Sequence, residues 1–179
     1  MGILYGYVEP KDMLYKLMRD GRKAHFPATP EDMCDNIFNF CITGHSLRDW
    51  CIKYLGIDSD KEAKKKFHEK CNENEYLKYC RDIANASKHF GLSSDRTSTV
   101  SKVKSEQTSY VSVDLYGRRV EGSETQQQTA KVVLSDGKEI HLIMFLLGVF
   151  NGLQAIMDDY GIPYESSKAN SAYFAAQYQ

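Results

Sequence analysis

Residues 131–163 read KVVLSDGKEIHLIMFLLGVFNGLQAIMDDYGIP, and the state of the apolar run that begins at Leu142 decides the fold. As a strand it would extend a sheet; as a helix it would supply a core to a helical protein. Periodicity alone does not separate the two for a short apolar run, but length does. Ile143, Leu147, Phe150, Gln154, Met157 and Tyr160 keep helical steps for almost five turns, and Gly161 and Pro163 then end the segment. Just upstream, Asp136-Gly137 sits between two apolar runs, the strongest short hairpin signal. The stretch therefore predicts a hairpin feeding directly into a core helix over 142–160.

Working outward, residues 97–141 read as a small antiparallel β element. YVSVDLY, 110–116, alternates apolar and polar residues and predicts a strand with one wet face. The flanking stretches 93–109 and 121–129 are rich in Ser, Thr and Gln, poor material for a core. Before Gly91 the pattern is helical. TPED opens a long helix over 30–55, with Thr29 as cap, Pro30 at the first helical position and Asp32 completing the box. Its stripe is Met33, Ile37, Phe40, Gly44, Leu47, Cys51 and Leu55, and Gly56 is a natural stop. A charged helix follows over 59–71, its lysines read as a solvated face. Another spans 75–90, capped by Asn72 or Asn74, with Tyr76, Cys80, Ile83, Ser87 and Phe90 as its buried stripe. KDMLYKLMRD, 11–20, predicts a short first helix ended by Gly21. The expected fold is mainly α: a helical bundle with a small antiparallel β insertion before the last helix. One domain covers 1–163, and 164–179 is read as a flexible tail, with a docking strap as the alternative.

Composition narrows the function. The 179 residues hold 42% apolar and 26% charged side chains with a net charge of −1, a globular balance with no chain-wide basic field. The run Leu142–Phe150 is about half a bilayer span, and MGILYGYVEPKD has no signal-peptide pattern, so no membrane partner is expected. Five cysteines without C-x-x-C spacing read as free thiols in a reducing cytoplasm. His68-x-x-Cys71 lacks a second ligand pair, so no metal is expected. Phosphate-binding glycine loops, G-x-S-x-G and H-E-x-x-H are all absent, and no cofactor is expected.

Candidate site residues cluster in CRDIANASKHF, 80–90. On a helix, Asp82, Asn85 and His89 share a face bordered by Arg81 and Lys88. In the long helix His45 and Asp49 interrupt an apolar row four residues apart, and are expected to bond to the 81–89 segment as a polar seam. Such a seam either fixes helix register or forms a reactive or ligand-binding group. Arg118 and Arg119, in YGRRVEG, form an Arg pair suited to phosphate or carboxylate; the alternative is a solubilising turn.

The order of elements, with an RDIAN-x-x-KHF core and a DG hairpin before the last helix, resembles the HEPN-like helical proteins of bacteria and phages over residues 30–160. Active members of that class are typically metal-independent ribonucleases that use an Arg, a following polar residue and then a His four to six residues on, often at a dimer interface. The resemblance implies Arg81 as the cation on the phosphate, His89 as the base and Asn85 as the orienting group. It also implies RNA or a nucleotide as ligand, a role in phage–host conflict, and a homodimer. Seven residues intervene between Arg81 and His89, so the spacing departs from the pattern of the class. The rival reading is a non-catalytic module that sequesters a partner protein or a nucleotide signal. Arg19-Asp20…His25 has the family spacing, but Gly21 is expected to break that helix.

Overall fold

In the computed structural model residues 5–89 and 98–174 are described, except for the side chains of 87–89. The first helix, α1, runs from Pro10 to His25. Asp12 opens it by accepting from the backbone N–H groups of Val8 and Glu9 at 2.8 and 2.9 Å. Gly21 does not end it, contrary to the sequence expectation. A Cβ at that position would lie 2.2 Å from the Phe174 ring, so this glycine is there to let an aromatic ring touch the helix backbone.

The long helix α2, Pro30–Tyr54, starts as its sequence predicts, with Thr29 Oγ1 accepting from Asp32 N at 3.1 Å. It ends in a Schellman motif: Gly56 takes φ +67°, and Ile57 N donates to Ile52 O at 3.1 Å. Six of the seven stripe residues are buried, Leu55 being half-buried. Asp60 caps α3, Lys61–Glu73. This helix buries only Phe67 and Cys71, and Lys61, Lys64, Lys65 and Lys66 face solvent. Asn74 caps α4, Glu75–His89, through Leu77 N at 3.2 Å.

The sheet is antiparallel in the order β1 (Val100–Tyr110), β2 (Thr125–Leu134) and β3 (Glu139–His141). Here the expected strand YVSVDLY is corrected. Tyr110 ends β1, and residues 111–124 form the far end of the β1–β2 hairpin, with one isolated bridge between Val113 and Arg119. The strands come from the Ser, Thr and Gln-rich stretches instead. Most of β1 is exposed, so nothing in it had to be apolar. The Asp136-Gly137 turn is as expected: Gly137 has φ +86°, and Gly137 N donates to Leu134 O at 3.0 Å.

Helix α5, Leu142–Asp159, lies at the centre and buries Leu142, Phe145, Leu146, Val149, Phe150, Leu153, Ile156 and Met157. By length and composition it would also serve as a membrane span, at a mean hydropathy of 1.4, but half of it is buried inside this fold. Gly148 and Gly152 bring α4 close. A Cβ at Gly148 would meet the Tyr76 ring at 2.3 Å, and one at Gly152 would meet Asn74 at 2.8 Å. Beyond the helix, residues 164–174 form a packed strap where a flexible tail was expected. Ala169 and Phe174 are buried, Gln154 donates to Ala169 O at 3.0 Å, and Arg22 donates to Tyr173 O at 2.8 Å. Phe174 meets Phe150 edge to face at 5.3 Å. The last residues of the expected tail, 175–179, lie outside the described residues.

Candidate functional site

The polar residues of α4 are gathered into a buried knot. Asp82 is only 5% exposed. Its Oδ2 accepts from Thr99 N at 2.8 Å and from Thr99 Oγ1 at 2.5 Å, while Oδ1 accepts from Arg81 Nη2 at 2.9 Å. Burial opposes ionisation of this carboxyl, but the Thr99 and Arg81 donors outweigh it and hold the pKa below the ordinary value. Asp82 thus faces the start of β1 and fastens it to α4. Asp82 therefore faces inward, with Thr99 and Arg81 as its partners.

Arg81, one-third exposed, also donates to Asn72 Oδ1 at 3.2 Å. The same oxygen accepts from Arg48 Nη1 at 3.3 Å. Arg48 comes from α2, is 3% exposed, and donates to Leu77 O at 2.6 Å. Burial lowers its pKa, as it must for a cation removed from water. Two guanidiniums, one amide and one carboxylate therefore tie α2, α3, α4 and β1 together.

Arg48, not Asp49, is the long helix's contribution to this knot. Asp49 is exposed, which corrects its expected bond to the 81–89 segment; His45 is half-buried. Arg48 was missed although a signal was present. It stands four residues after Gly44 and three before Cys51, inside the apolar stripe, where a cation needs buried acceptors.

Next to the knot a cleft of about 710 Å³ opens between the start of α4 and the β2–β3 turn. Tyr79, Thr99, Asp136, Lys138 and Glu139 are among its walls. Tyr79 OH donates to Glu75 Oε2 at 3.3 Å; burial first, and the Glu75 charge second, raise its pKa. This hydroxyl stays protonated near neutrality and serves as a hydrogen-bond group, not as a base. No family model, curated protein or solved structure matches the chain.

The polar groups of the knot bond to one another. Arg81 is spent on Asp82 and Asn72. Asn85 is half-buried one turn further on, while the side chains of Lys88 and His89 lie outside the described residues. Burial pushes the Cys51 thiol up to about 12 and the Cys71 thiol to about 11, and raises Cys41 as well. None of these three is a thiolate nucleophile. No cluster of metal-binding side chains occurs among the described residues.

Arg118 and Arg119 are not brought to α4. They sit at the far end of the β1–β2 hairpin, roughly 30 Å along a strand of this length. There Asp114 organises a turn, accepting from Tyr116 N at 2.8 Å, Arg118 N at 3.0 Å and Arg118 Nε at 2.8 Å. The Arg118 guanidinium lies 5.2 Å from the centre of the Tyr116 ring. Around this turn Val113, Leu115, Tyr116 and Val120 are exposed, Leu115 at 102% and Tyr116 at 84%.

Proposed function

We propose that this chain is a non-catalytic binding module that engages a partner protein through the β1–β2 hairpin tip. One observation carries the reading: a turn fixed by Asp114 holds Leu115 and Tyr116 almost wholly in water, beside Arg118 and Arg119. Large apolar side chains gain nothing by exposure, and aromatic and Arg residues dominate the energetics of interfaces. Because the turn is already ordered, less conformational entropy is lost on docking. A photo-crosslinking residue in place of Tyr116 should give one discrete adduct in the native cell. Leu115→Asp should abolish that adduct at an unchanged melting temperature. A tip that gives no adduct in the parent sinks the reading.

A second proposal keeps the HEPN-like ribonuclease, supported by the helical order and by α4, which carries a one-third exposed Arg81 with Asn85 on the same helix. In this reading a helical bundle acts on RNA with His89 as base. Metal-independent RNA cleavage by the parent, lost about 100-fold or more in His89→Ala, supports it. Equal traces of cleavage in parent and variant exclude it.

A further inference from the structure

Among the described residues β1 is paired with β2 on one side and with no strand on the other. An open edge of 11 residues presents unpaired N–H and C=O groups, a template for another strand. Lysines commonly guard such edges, and Lys102 and Lys104 would do so if they stood alone.

Glu106 changes that. In an antiparallel pairing of β1 with its own copy centred on Ser105, Lys104 falls opposite Glu106 of the second copy, and symmetry makes this pair twice. Lys102 then meets Thr108, and Val103 meets Gln107. No like charges face each other. Moving the centre to Lys104 sets two lysines together, and moving it to Glu106 sets two glutamates together. The charges therefore select one register among these neighbours.

The isolated chain also leaves a charge conflict on this edge. Lys104 stands directly opposite Lys131 across the β1–β2 ladder, an unfavourable arrangement. Glu106 lies 2.9 Å from Lys131 Nζ, and Glu139 lies 3.2 Å from it, while the Lys104 charge reaches Glu139 only as a lesser influence behind Lys131. A second copy's Glu106, shared with its own Lys131, would stand opposite Lys104 across the open edge. The bulge between Val100 and Lys102 ends the regular edge at one end of this seam.

We propose that the chain forms a twofold dimer through antiparallel pairing of β1 with β1 of a second copy, with Ser105 on the axis. Two three-stranded sheets become one. The inference does not rest on the hairpin-tip reading: the axis places the two tips at opposite ends of the joined sheet, so a dimer displays both.

Sedimentation of the full chain should show a dimer. Directly opposite residues in antiparallel strands have Cα atoms about 4.5–5.5 Å apart, within disulfide range. In a Cys34→Ser background, Ser105→Cys should therefore cross-link two chains under mild oxidation. Ser109→Cys should not, because its two copies stand about 26 Å apart along the strands. Lys104→Glu sets a carboxylate against Glu106 of the second copy and should weaken the dimer roughly tenfold or more. The same change removes the conflict with Lys131, so the melting temperature of the monomer should hold or rise. A parent that sediments as a monomer at every concentration overturns the proposal. So does a dimer in which Ser105→Cys and Ser109→Cys cross-link equally.

Discussion

At the scale of single residues, adjacent Arg48 and Asp49 have opposite fates, and both can be tested. Arg48 is buried against Leu77 O and Asn72, so Arg48→Ala leaves buried acceptors unsatisfied and a cavity behind. It should cost about 2–4 kcal/mol in chemical denaturation. Asp49→Ala, in water, should cost less than about 0.5 kcal/mol; a larger loss would mean that Asp49 holds the bundle. His25 provides the pH signature. It is buried at the end of α1, and its Nδ1 has no hydrogen-bond partner among the described residues. Burial first, then the Arg22 charge, lowers its pKa from the ordinary 6.5. The folded state thus binds this proton less readily than the unfolded chain does. Stability from this group is complete above about 6.5 and is lost as pH falls from there toward the depressed folded value. Urea midpoints should drop as pH falls below about 6.5, and His25→Phe should flatten that drop. An unchanged slope in the variant would assign the acid sensitivity elsewhere.

Among the elements, Gly21 decides whether the strap stays down. On propensity alone Gly21→Ala should favour α1 by about 1 kcal/mol. Against that, the new methyl would overlap the Phe174 ring, 2.2 Å away, and overpacking costs about 1–3 kcal/mol. The net effect should be a lower melting temperature and faster proteolysis within 164–174. Adding Phe174→Ala to Gly21→Ala should relieve the clash without restoring the lost packing. If Gly21→Ala alone raises the melting temperature, the strap does not press on α1 as described. This contact also marks the limit of what the sequence reveals. Helices α2, α4 and α5 were legible because caps and stops are local: Thr29, Asn74, Gly56 and Gly161 act within one turn of themselves. The interior role of Gly21 depends on an aromatic residue near the other end of the chain. The polar strands were illegible for a related reason. Alternation reports a buried face, and β1 has almost none, so the alternating stretch YVSVDLY pointed to the tip instead. In the candidate site, the cluster at Arg81 and Asp82 was legible from type and spacing, whereas its partners Thr99 and Asn72 were set by tertiary packing.

Considered whole, the molecule is a helical core from which one hairpin projects, and the two parts should separate energetically. The large buried side chains Phe40, Phe67, Phe145, Phe150 and Phe174 all belong to helices or the strap, and each contributes on the order of 1.5–3 kcal/mol by leaving water. The hairpin tip contributes no buried residue between 111 and 124, and its hydrogen bonds are made within itself. Tyr110 and Thr125 are directly paired at its base, so an Asn-Gly turn can close the strands there. Replacing 111–124 by Asn-Gly should leave the melting temperature within roughly 4 °C of the parent, the shift that about 1 kcal/mol would give. The strand edge from Lys102 to Thr108 survives this change, so self-association through β1 should persist while docking through the tip is lost. That pairing of outcomes separates the two proposals: loss of both would mean that the tip, not the edge, joins two copies. A shortened chain that no longer folds would instead show that the tip supports the sheet, contrary to the exposure of Leu115 and Tyr116.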